Sequence, residues 1–288
     1  MPRSRATAIG FIAVLLWALL ALFTVGSAPT PPLLLNTICF AIGGGLGLIW
    51  AGATGALGGL SRVHWRVYLF GTTGLFGYHA LYFSALRLAP PAEAGLIAYL
   101  WPLLIVVFSG HLPGERLHRG HLLGAGFGLA GAALIISGGG TGFSLAHLSG
   151  YALALLCALT WASYSVLSRR VGQAPTASVA IFCLASAALS LPLHLIFEVT
   201  QLPATALGWA SIIGLGLGPV GLAFYVWDIG VKRGDIQLLG TSSYAAPLLS
   251  TLVLVLAGVA APSMMLLWAA LLITGGALLA ARASLSVT

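Results

Sequence analysis

Ten apolar stretches fill this chain almost from end to end, and each is long enough to cross a bilayer as a helix. A hydrocarbon core of about 30 Å requires roughly 20 apolar residues at about 1.5 Å of rise per residue. Charged residues make up only 6% of the chain, and its mean hydropathy is +1.05. We therefore predict an all-α integral membrane protein with ten transmembrane helices. The stretches lie near residues 7–26, 32–54, 65–86, 91–110, 118–138, 148–169, 176–197, 206–230, 236–258 and 262–282.

The sequence argues against a β-barrel and against a soluble module. Strands of a membrane barrel alternate polar and apolar residues, and no such alternation occurs here. The segments between the stretches are too short for an extramembrane domain. The net charge of +7 is scattered over helix ends rather than gathered in one patch, so we expect the lipid bilayer, and not nucleic acid, as a partner.

The basic residues mark one face of the membrane. Cytoplasmic loops of membrane proteins carry an excess of Lys and Arg. With the N-terminus inside, eleven of the twelve basic residues fall on the inner face, and Arg87 alone falls outside. The pattern predicts that both termini are cytoplasmic. The inner set comprises Arg3, Arg5, Arg62, Arg66, Arg116, Arg119, Arg169, Arg170, Lys232, Arg233 and Arg282.

The two halves of the chain repeat one another at a shift of 145 residues. The segments GLIAYLWPLL and GTSSYAAPLL share their Gly, Tyr, Pro and Leu-Leu positions, so that Tyr99 matches Tyr244 and Pro102 matches Pro247. Trp17 and Trp161 match at a shift of 144. We divide the chain into a first five-helix repeat, residues 1–140, and a second five-helix repeat, residues 141–288.

An odd number of helices per repeat has a consequence for topology. The second repeat must enter the membrane from the opposite face. Inverted repeats of this kind occur in transporters, whose halves open a shared site first to one side of the membrane and then to the other. We therefore expect two inverted repeats around a central cavity. The glycine-rich segment 138–144 is the expected connection between them.

These features together resemble a known family. They are the ten helices in two repeats, the Trp in the first helix of each repeat, the Pro in the fourth and ninth helices, and the Gly-rich fifth and tenth helices. The chain resembles the EamA-type branch of the drug/metabolite transporter superfamily, and within it the YddG-type aromatic amino-acid exporters. The resemblance implies a bacterial inner-membrane exporter of small molecules that works by alternating access and needs no cofactor.

Aromatic side chains with polar atoms lie near mid-depth in helices of both halves. Trp and Tyr ordinarily gather at the headgroup level, and a buried indole N–H or phenol O–H needs a partner. A central cavity supplies partners and suits a flat, apolar ligand with polar ends. For any one of these residues, plain packing between helices is an equally good interpretation. The candidates are Trp17, Tyr78, Tyr82, Tyr99, Trp101, Trp161, Tyr164 and Tyr244.

His79 is an ionisable residue deep in a predicted helix, 13 residues beyond Arg66 and thus about 20 Å into the bilayer. Such residues often face a substrate or proton path. A protonated His79 would bind a substrate carboxylate, and a neutral one would donate a hydrogen bond; a bond to a neighbouring helix is the alternative. In related four-helix multidrug transporters, a Glu in the first helix exchanges protons for cationic drugs. The first helix here has no acid, so we expect a neutral substrate and slightly favour facilitated diffusion.

Two prolines are candidates for shaping the cavity, and one serine is a further candidate for binding the substrate. Pro102 and Pro247 interrupt the backbone ladders of matching helices, where they act as pivots or fix the cavity wall. Ser243, next to Tyr244, offers a hydroxyl at cavity depth, with back-bonding to its own helix as the alternative.

The acidic residues lie near helix ends. There we expect Glu93 to pair with Arg87 and Asp228 to pair with Lys232.

Small residues at four-residue spacing form smooth faces on two helices. They are Gly43 with Gly47, and Gly120 with Gly124 and Gly128. Such faces allow close approach of helices within a bundle, or between two copies of a protein. We expect a monomer, and the sequence leaves a dimer open.

Other classes of function fit less well. An intramembrane enzyme needs a nucleophile with a base, or a metal cluster, and the chain has no G-x-S-x-G or H-E-x-x-H motif and no paired mid-depth acids. Its three cysteines lie far apart in separate helices, so no metal site and no disulfide is predicted. A channel would need a ring of charges or a carbonyl filter. The close alternative to aromatic amino acids is another neutral metabolite, such as a different amino acid or a sugar-like compound.

Overall fold

The structure, a computed structural model, describes residues 1–138, 142, 144–171, 174–258 and 261–285. Within these ranges the chain is helical and contains no β-strand. Ten long helical stretches follow one another: α1 (Arg3–Gly26), α2 (Pro32–Ala53), α3 (Trp65–Leu88), α4 (Pro91–Ser109), α5 (Arg119–Ser137), α6 (Leu145–Leu167), α7 (Thr176–Phe197), α8 (Ala206–Arg233), α9 (Ile236–Leu256) and α10 (Met264–Leu285). The predicted junction between the repeats, at residues 140 and 141, and most of segment 138–144 lie outside the described residues.

Nine of these helices, all except α3, are long and apolar enough to cross a membrane. The prediction of an all-helical, multi-pass membrane protein is therefore confirmed. Helix α3 has 24 residues, which is sufficient length. Its hydropathy is lowered by Arg66 and Arg87 near its ends and by His79 and several Tyr and Thr residues between them.

Four of the helices are interrupted near their middles. Helix α1 breaks after Trp17, and α8 contains a π-helical turn at Gly218–Leu222. The first piece of α4 ends at Ala98, and the first piece of α9 ends at Ser242. Each of these two breaks comes shortly before a proline, because a proline ring clashes with the carbonyl four residues back and disfavours helical geometry at the residue before it.

Helices of the first half pack mainly on helices of the second half. Helix α1 runs along α8, α2 along α7, α3 along α6 and α5 along α10. Helix α4 packs along α6, and its second piece also contacts the first piece of α9. The two halves therefore form one interlocked bundle.

Glycines allow several of these helices to touch backbone to backbone. A Cβ atom added to Gly124 on α5 would lie 2.5 Å from the carbonyl oxygen of Gly276 on α10. A Cβ added to Gly43 on α2 would lie 2.8 Å from the Cα of Gly221 on α8. Atoms do not approach so closely without displacement, so a side chain at these positions would separate the helices.

A buried carboxylate joins several helices at one end of the bundle. Glu115, in the segment between α4 and α5, accepts a hydrogen bond from Arg3 at 2.9 Å and forms an ion pair with Arg169 at the end of α6. Arg169 also donates to the carbonyl of Gly234, and Arg3 lies 3.6 Å from Asp235 at the start of α9. Burial lowers the pKa of Arg169 from its ordinary value, and the nearby Glu115 carboxylate opposes that change.

A second buried carboxylate holds the opposite end together. Glu198, after α7, accepts hydrogen bonds from the amides of Leu33 and Leu34 at 3.0 to 3.2 Å. It thereby places negative charge at the N-terminus of α2, which the helix dipole favours. His194 lies 3.0 Å and Arg87 lies 3.4 Å from its oxygens.

One predicted ion pair is present and one is not. Lys232 lies 2.9 Å from Asp228, as the four-residue spacing predicts. The pairing of Glu93 with Arg87 is wrong: Arg87 reaches across the bundle to the second buried carboxylate. Glu93 instead accepts a hydrogen bond from the hydroxyl of Tyr151, on α6.

Candidate functional site

Four tryptophans from four different helices form a cluster at the centre of the bundle. Every pair of them is in contact, with ring centroids 5.1 to 6.3 Å apart and mostly edge-to-face geometry. Edge-to-face contact aligns the positive edge of one ring with the negative face of the next. The members are Trp17 on α1, Trp101 on α4, Trp161 on α6 and Trp227 on α8.

One face of α3 extends this cluster. The ring centroid of Tyr78 lies 5.4 Å from that of Trp161 and 6.1 Å from that of Tyr82, one turn further along α3. Tyr99, at the break of α4, lies 6.2 Å from Trp101. The predicted aromatic residues of both halves are thus brought together into one continuous network.

The network has a buried part and a half-buried part. Trp101, Trp161 and Trp227 are 4%, 3% and 1% exposed and form its floor. Trp17, Tyr78, His79, Tyr82 and Tyr99 keep part of their surface accessible. Trp17, Tyr78 and Tyr99 contact the floor directly. A set of accessible polar aromatic side chains on a buried aromatic base has the composition of a wall for a flat ligand.

The indole N–H groups of the cluster are used within the protein. Trp17 donates to the carbonyl of Pro219, 3.1 Å away in the π-helical turn of α8. Trp227 donates to the hydroxyl of Ser165 on α6, also at 3.1 Å. The first bond joins the two halves of the chain, the second joins α8 to α6 within the second half, and both restrict the orientations of the rings.

Of the two ring nitrogens of His79, one is hydrogen-bonded within the protein and the other is not. Its Nδ1 lies 2.7 Å from the carbonyl oxygen of Leu75, one turn earlier in α3. A carbonyl only accepts, so Nδ1 carries the proton, and a neutral ring then presents Nε2 as an acceptor. A neutral His79 therefore donates within its own helix, and the nitrogen left for a ligand is an acceptor. Within the described residues, Nε2 has no hydrogen-bond partner. Phe40 and Phe224 contact the ring, at 5.0 and 6.2 Å between centroids.

Two candidates from the sequence are engaged in packing. Tyr164 is 3% exposed and fills the space above Gly74 of α3, where a Cβ would collide with its ring. Ser243 is fully buried, and its hydroxyl donates to the carbonyl of Leu239 at 2.7 Å. The alternative interpretation of Ser243, back-bonding within its helix, therefore describes its contact.

Tyr244 is fully buried at the break of α9. Its ring covers Gly128 of α5, and its hydroxyl accepts a hydrogen bond from the amide of Leu103 at 3.1 Å. That amide belongs to the start of the second piece of α4, directly after Pro102. A tyrosine from one half thus satisfies a backbone donor that the interruption of the other half exposes.

Sequence reasoning missed several members of the network, among them Phe40, Phe224 and Trp227. Two of them carry a signal in the repeat. At a shift of 145 residues, Tyr82 matches Trp227 and His79 matches Phe224. Trp227 lies close to the basic pair that ends α8, and a Trp near a membrane surface is ordinary, so its depth alone gives no sign of a site.

No set of three or more His, Cys, Asp or Glu side chains in the described part of the chain is arranged to hold a metal ion. The three cysteines are buried and unpaired.

Comparisons with known proteins agree with this architecture. The aromatic amino acid exporter YddG of Ancylobacter novellus is 54% identical over 282 residues, which cover 97% of this chain and 98% of the relative. The protein of the same name from Escherichia coli is 25% identical over 300 residues, covering 97% of both chains. A solved crystal structure, 54% identical, superposes with a TM-score of 0.94 over 97% of both chains.

The profile of the EamA-like transporter family matches the chain twice, at residues 5–137 and 148–282. Together the matches cover nearly the whole sequence, and they agree with the features from which the resemblance was drawn. An enzymatic role is thereby set aside in favour of transport. The chain belongs to the EamA-like transporter family.

Proposed function

We propose that this protein exports aromatic amino acids across the bacterial inner membrane by alternating access. The observation that carries the proposal is the central aromatic network, whose half-buried members offer ring faces, hydroxyls and an imidazole nitrogen to one ligand. The names of the relatives described above agree with a substrate of this class.

The substrate's apolar and polar ends have different partners in this proposal. Its phenyl or indole group packs against Trp17, Tyr78 and Tyr82, where edge and face contacts favour an aromatic ring. Its ammonium group donates to Nε2 of neutral His79. Its carboxylate accepts from the Tyr99 hydroxyl. Trp101 and Trp161 form the floor beneath it.

All ten helices cross the membrane in the proposed topology, including α3. Its 24 residues are long enough, and its Tyr78, His79 and Tyr82 belong to the central network. An even number of crossings leaves both termini on one side, and the positive-inside rule favours the cytoplasm. Reporter fusions to each terminus test this: alkaline phosphatase should be inactive and green fluorescent protein should fluoresce at both.

The proposed inverted repeat, with its halves at residues 1–140 and 141–288, is supported by the packing of the helices. In the repeat, α3 corresponds to α8 and α6 corresponds to α1. The contact of α3 with α6 therefore corresponds to the contact of α8 with α1, and both contacts are present. The contacts of α2 with α7 and of α5 with α10 map onto themselves. The family profile also matches each half separately.

We propose that the structure represents the outward-open state. Counterparts at a shift of 145 differ in exposure: the member in the first half is half-buried, and the member in the second half is at most 5% exposed. In the proposed topology the first-half members lie toward the outside and their counterparts toward the cytoplasm, where Glu115 binds Arg3 and Arg169. The pairs are Tyr82 with Trp227, His79 with Phe224, and Tyr99 with Tyr244.

Transport into liposomes tests the substrate and the coupling. The purified protein is reconstituted and supplied with labelled tryptophan, phenylalanine or threonine, with and without a pH gradient. We expect tryptophan and phenylalanine fluxes well above that of threonine, and little effect of the gradient, because neither half places a carboxylate in the network. Equal fluxes of all three amino acids would favour a transporter of other neutral metabolites. No flux above that of empty liposomes would refute the proposal. Because nothing in the network depends on a second copy, we expect a monomer to be sufficient.

A further inference from the structure

The interruptions of α4 and α9 are alike in sequence but differ in their hydrogen bonds. The second piece of each helix begins with backbone amides that have no acceptor in their own helix. In α4, the amide of Leu103 donates to the hydroxyl of Tyr244 at 3.1 Å. Tyr244 is itself the residue at the interruption of α9.

The counterpart of this bond is not formed. At a shift of 145 residues, Leu103 matches Leu248 and Tyr244 matches Tyr99. Among the described residues, the Tyr99 hydroxyl makes no hydrogen bond. The Leu248 amide lies four residues after Tyr244, the N-cap of its helix, so its own helix offers it an acceptor. The two tyrosine rings are neighbours, with centroids 6.4 Å apart.

We propose that Tyr99 and Tyr244 are positioning residues that exchange roles in the transport cycle. In the outward-open state, Tyr244 accepts from the Leu103 amide and Tyr99 is free to contact substrate. In the inward-open state, Tyr99 accepts from the Leu248 amide and Tyr244 becomes accessible. This inference rests on the inverted repeat of the proposed function.

The exchange follows from the energetics of buried donors. A buried amide without an acceptor is costly, and the interruption of α4 leaves such an amide, that of Leu103, beside the tyrosine of the other half. In the exchanged arrangement the Leu248 amide takes the corresponding position beside Tyr99. A bond made in only one state stabilises that state alone, so each tyrosine biases the equilibrium in its own direction. Because the two bonds are chemically alike, neither state is strongly favoured, which a carrier that must visit both requires.

The test uses reporter cysteines on each side of the network. In a chain with its three natural cysteines replaced by alanine, Tyr82→Cys reports outward opening and Trp227→Cys reports inward opening. The rate of labelling by a water-soluble maleimide is measured for each reporter and divided by its rate after denaturation. We expect Tyr244→Phe to lower the ratio of outward to inward labelling about fivefold, the effect of one hydrogen bond. Tyr99→Phe should raise the ratio by a similar factor, and the double variant should return it to near the parent's value.

Tyr225→Phe is the matched control. It removes a buried hydrogen bond, 2.9 Å long, from a tyrosine hydroxyl to the carbonyl of Gly43. The residue that matches Tyr225 in the first half is Ala80, which has no hydroxyl, so this bond has no partner with which to exchange. It should leave the labelling ratio unchanged. The inference is overturned if Tyr99→Phe has no effect, or if both single variants move the ratio in the same direction.

Tryptophan flux through the chain with its natural cysteines separates this inference from the proposed function. If the chain transports tryptophan but both Tyr→Phe variants shift the labelling ratio in the same direction, the exchange is refuted and the proposed function stands. If the two variants shift the labelling ratio in opposite directions but the chain does not transport tryptophan, the exchange is supported and the proposed substrate is refuted.

Discussion

Trp17 donates its indole N–H to the carbonyl of Pro219, 3.1 Å away. The bond joins the break of α1 to the π-helical turn of α8, so that two irregular segments from opposite halves are held together at mid-depth. Interrupted helices near the membrane midplane are a common means of building a transporter binding site. The two irregular segments therefore form one structural unit with the aromatic network.

The first prediction concerns this bond. Trp17→Phe keeps an aromatic ring but removes the donor and leaves a carbonyl without its partner, so we expect a loss of about 1 kcal/mol in stability. Tryptophan flux should fall several-fold, because the ring also loses its fixed orientation. Thermal unfolding and liposome flux measure the two effects. Trp268→Phe, on an exposed face of α10, is the control and should behave like the parent. Normal flux through Trp17→Phe would contradict the assignment.

The second prediction separates the two nitrogens of His79. Glutamine can offer an acceptor at about the position of Nε2, whereas phenylalanine cannot. A hydrogen bond to a charged group contributes roughly 1.5 to 3 kcal/mol, so His79→Phe should raise the KM for tryptophan about tenfold or more. His79→Gln should stay within about threefold of the parent. Concentration-dependent counterflow gives both values, and an unchanged KM for His79→Phe would show that the imidazole binds no substrate.

The third prediction concerns the cluster around Glu115. Glu115→Gln leaves Arg169 buried without its charged partner, which should cost roughly 2 kcal/mol in stability and favour inward opening. Arg3→Gln is a graded comparison. Its side chain is 51% exposed, so its loss should cost less than about 1 kcal/mol. Thermal unfolding and maleimide labelling of the inward reporter measure these effects. Equal losses for both variants would argue that the cluster is not a closure of this side.

The fourth prediction tests the contact between α5 and α10. Gly124→Val forces the two backbones apart, because a Cβ there would lie 2.5 Å from the carbonyl of Gly276. We expect severe loss of folded protein, on the scale of several kcal/mol. Gly126 lies on a different face of the same helix, where an added Cβ would have no neighbouring atom within 4 Å. Gly126→Val should therefore be tolerated. Detergent-stable yield after size-exclusion chromatography distinguishes the two.

Hydropathy predicted the helices well, because their ends follow from apolar length. Trp65–Leu88 illustrates the weakness of that signal: Tyr78, His79 and Tyr82 lower its hydropathy, and they are also residues of the aromatic network. Polar residues that belong to a binding site lower the hydropathy by which a transmembrane helix is recognised.

Contacts between distant segments were beyond the sequence. Arg87 was expected to bind Glu93 nearby, but it reaches Glu198, 111 residues away. Likewise, Tyr164 is a packing residue because Gly74 on another helix makes room for it. Such partners depend on which helices lie side by side, and spacing along the chain does not encode that.

The repeat was the more informative signal. The matches of Tyr99 with Tyr244 and of Pro102 with Pro247 located both helix interruptions to within a few residues. Extending the same shift to α3 would have added Trp227 and Phe224 to the candidates. Depth alone does not mark them, because Trp227 lies near the end of α8 and Phe224 carries no polar atom.

The interlocked packing described above has a consequence for biogenesis. Helices α1, α2, α3 and α5 each find their main neighbour among residues synthesised later. The helices of the first half are therefore inserted into the bilayer before their partners exist, and their glycine-lined faces contact lipid until the second half is inserted. Synthesis in two separate pieces would succeed only if both pieces met in the same membrane before quality control removed either one.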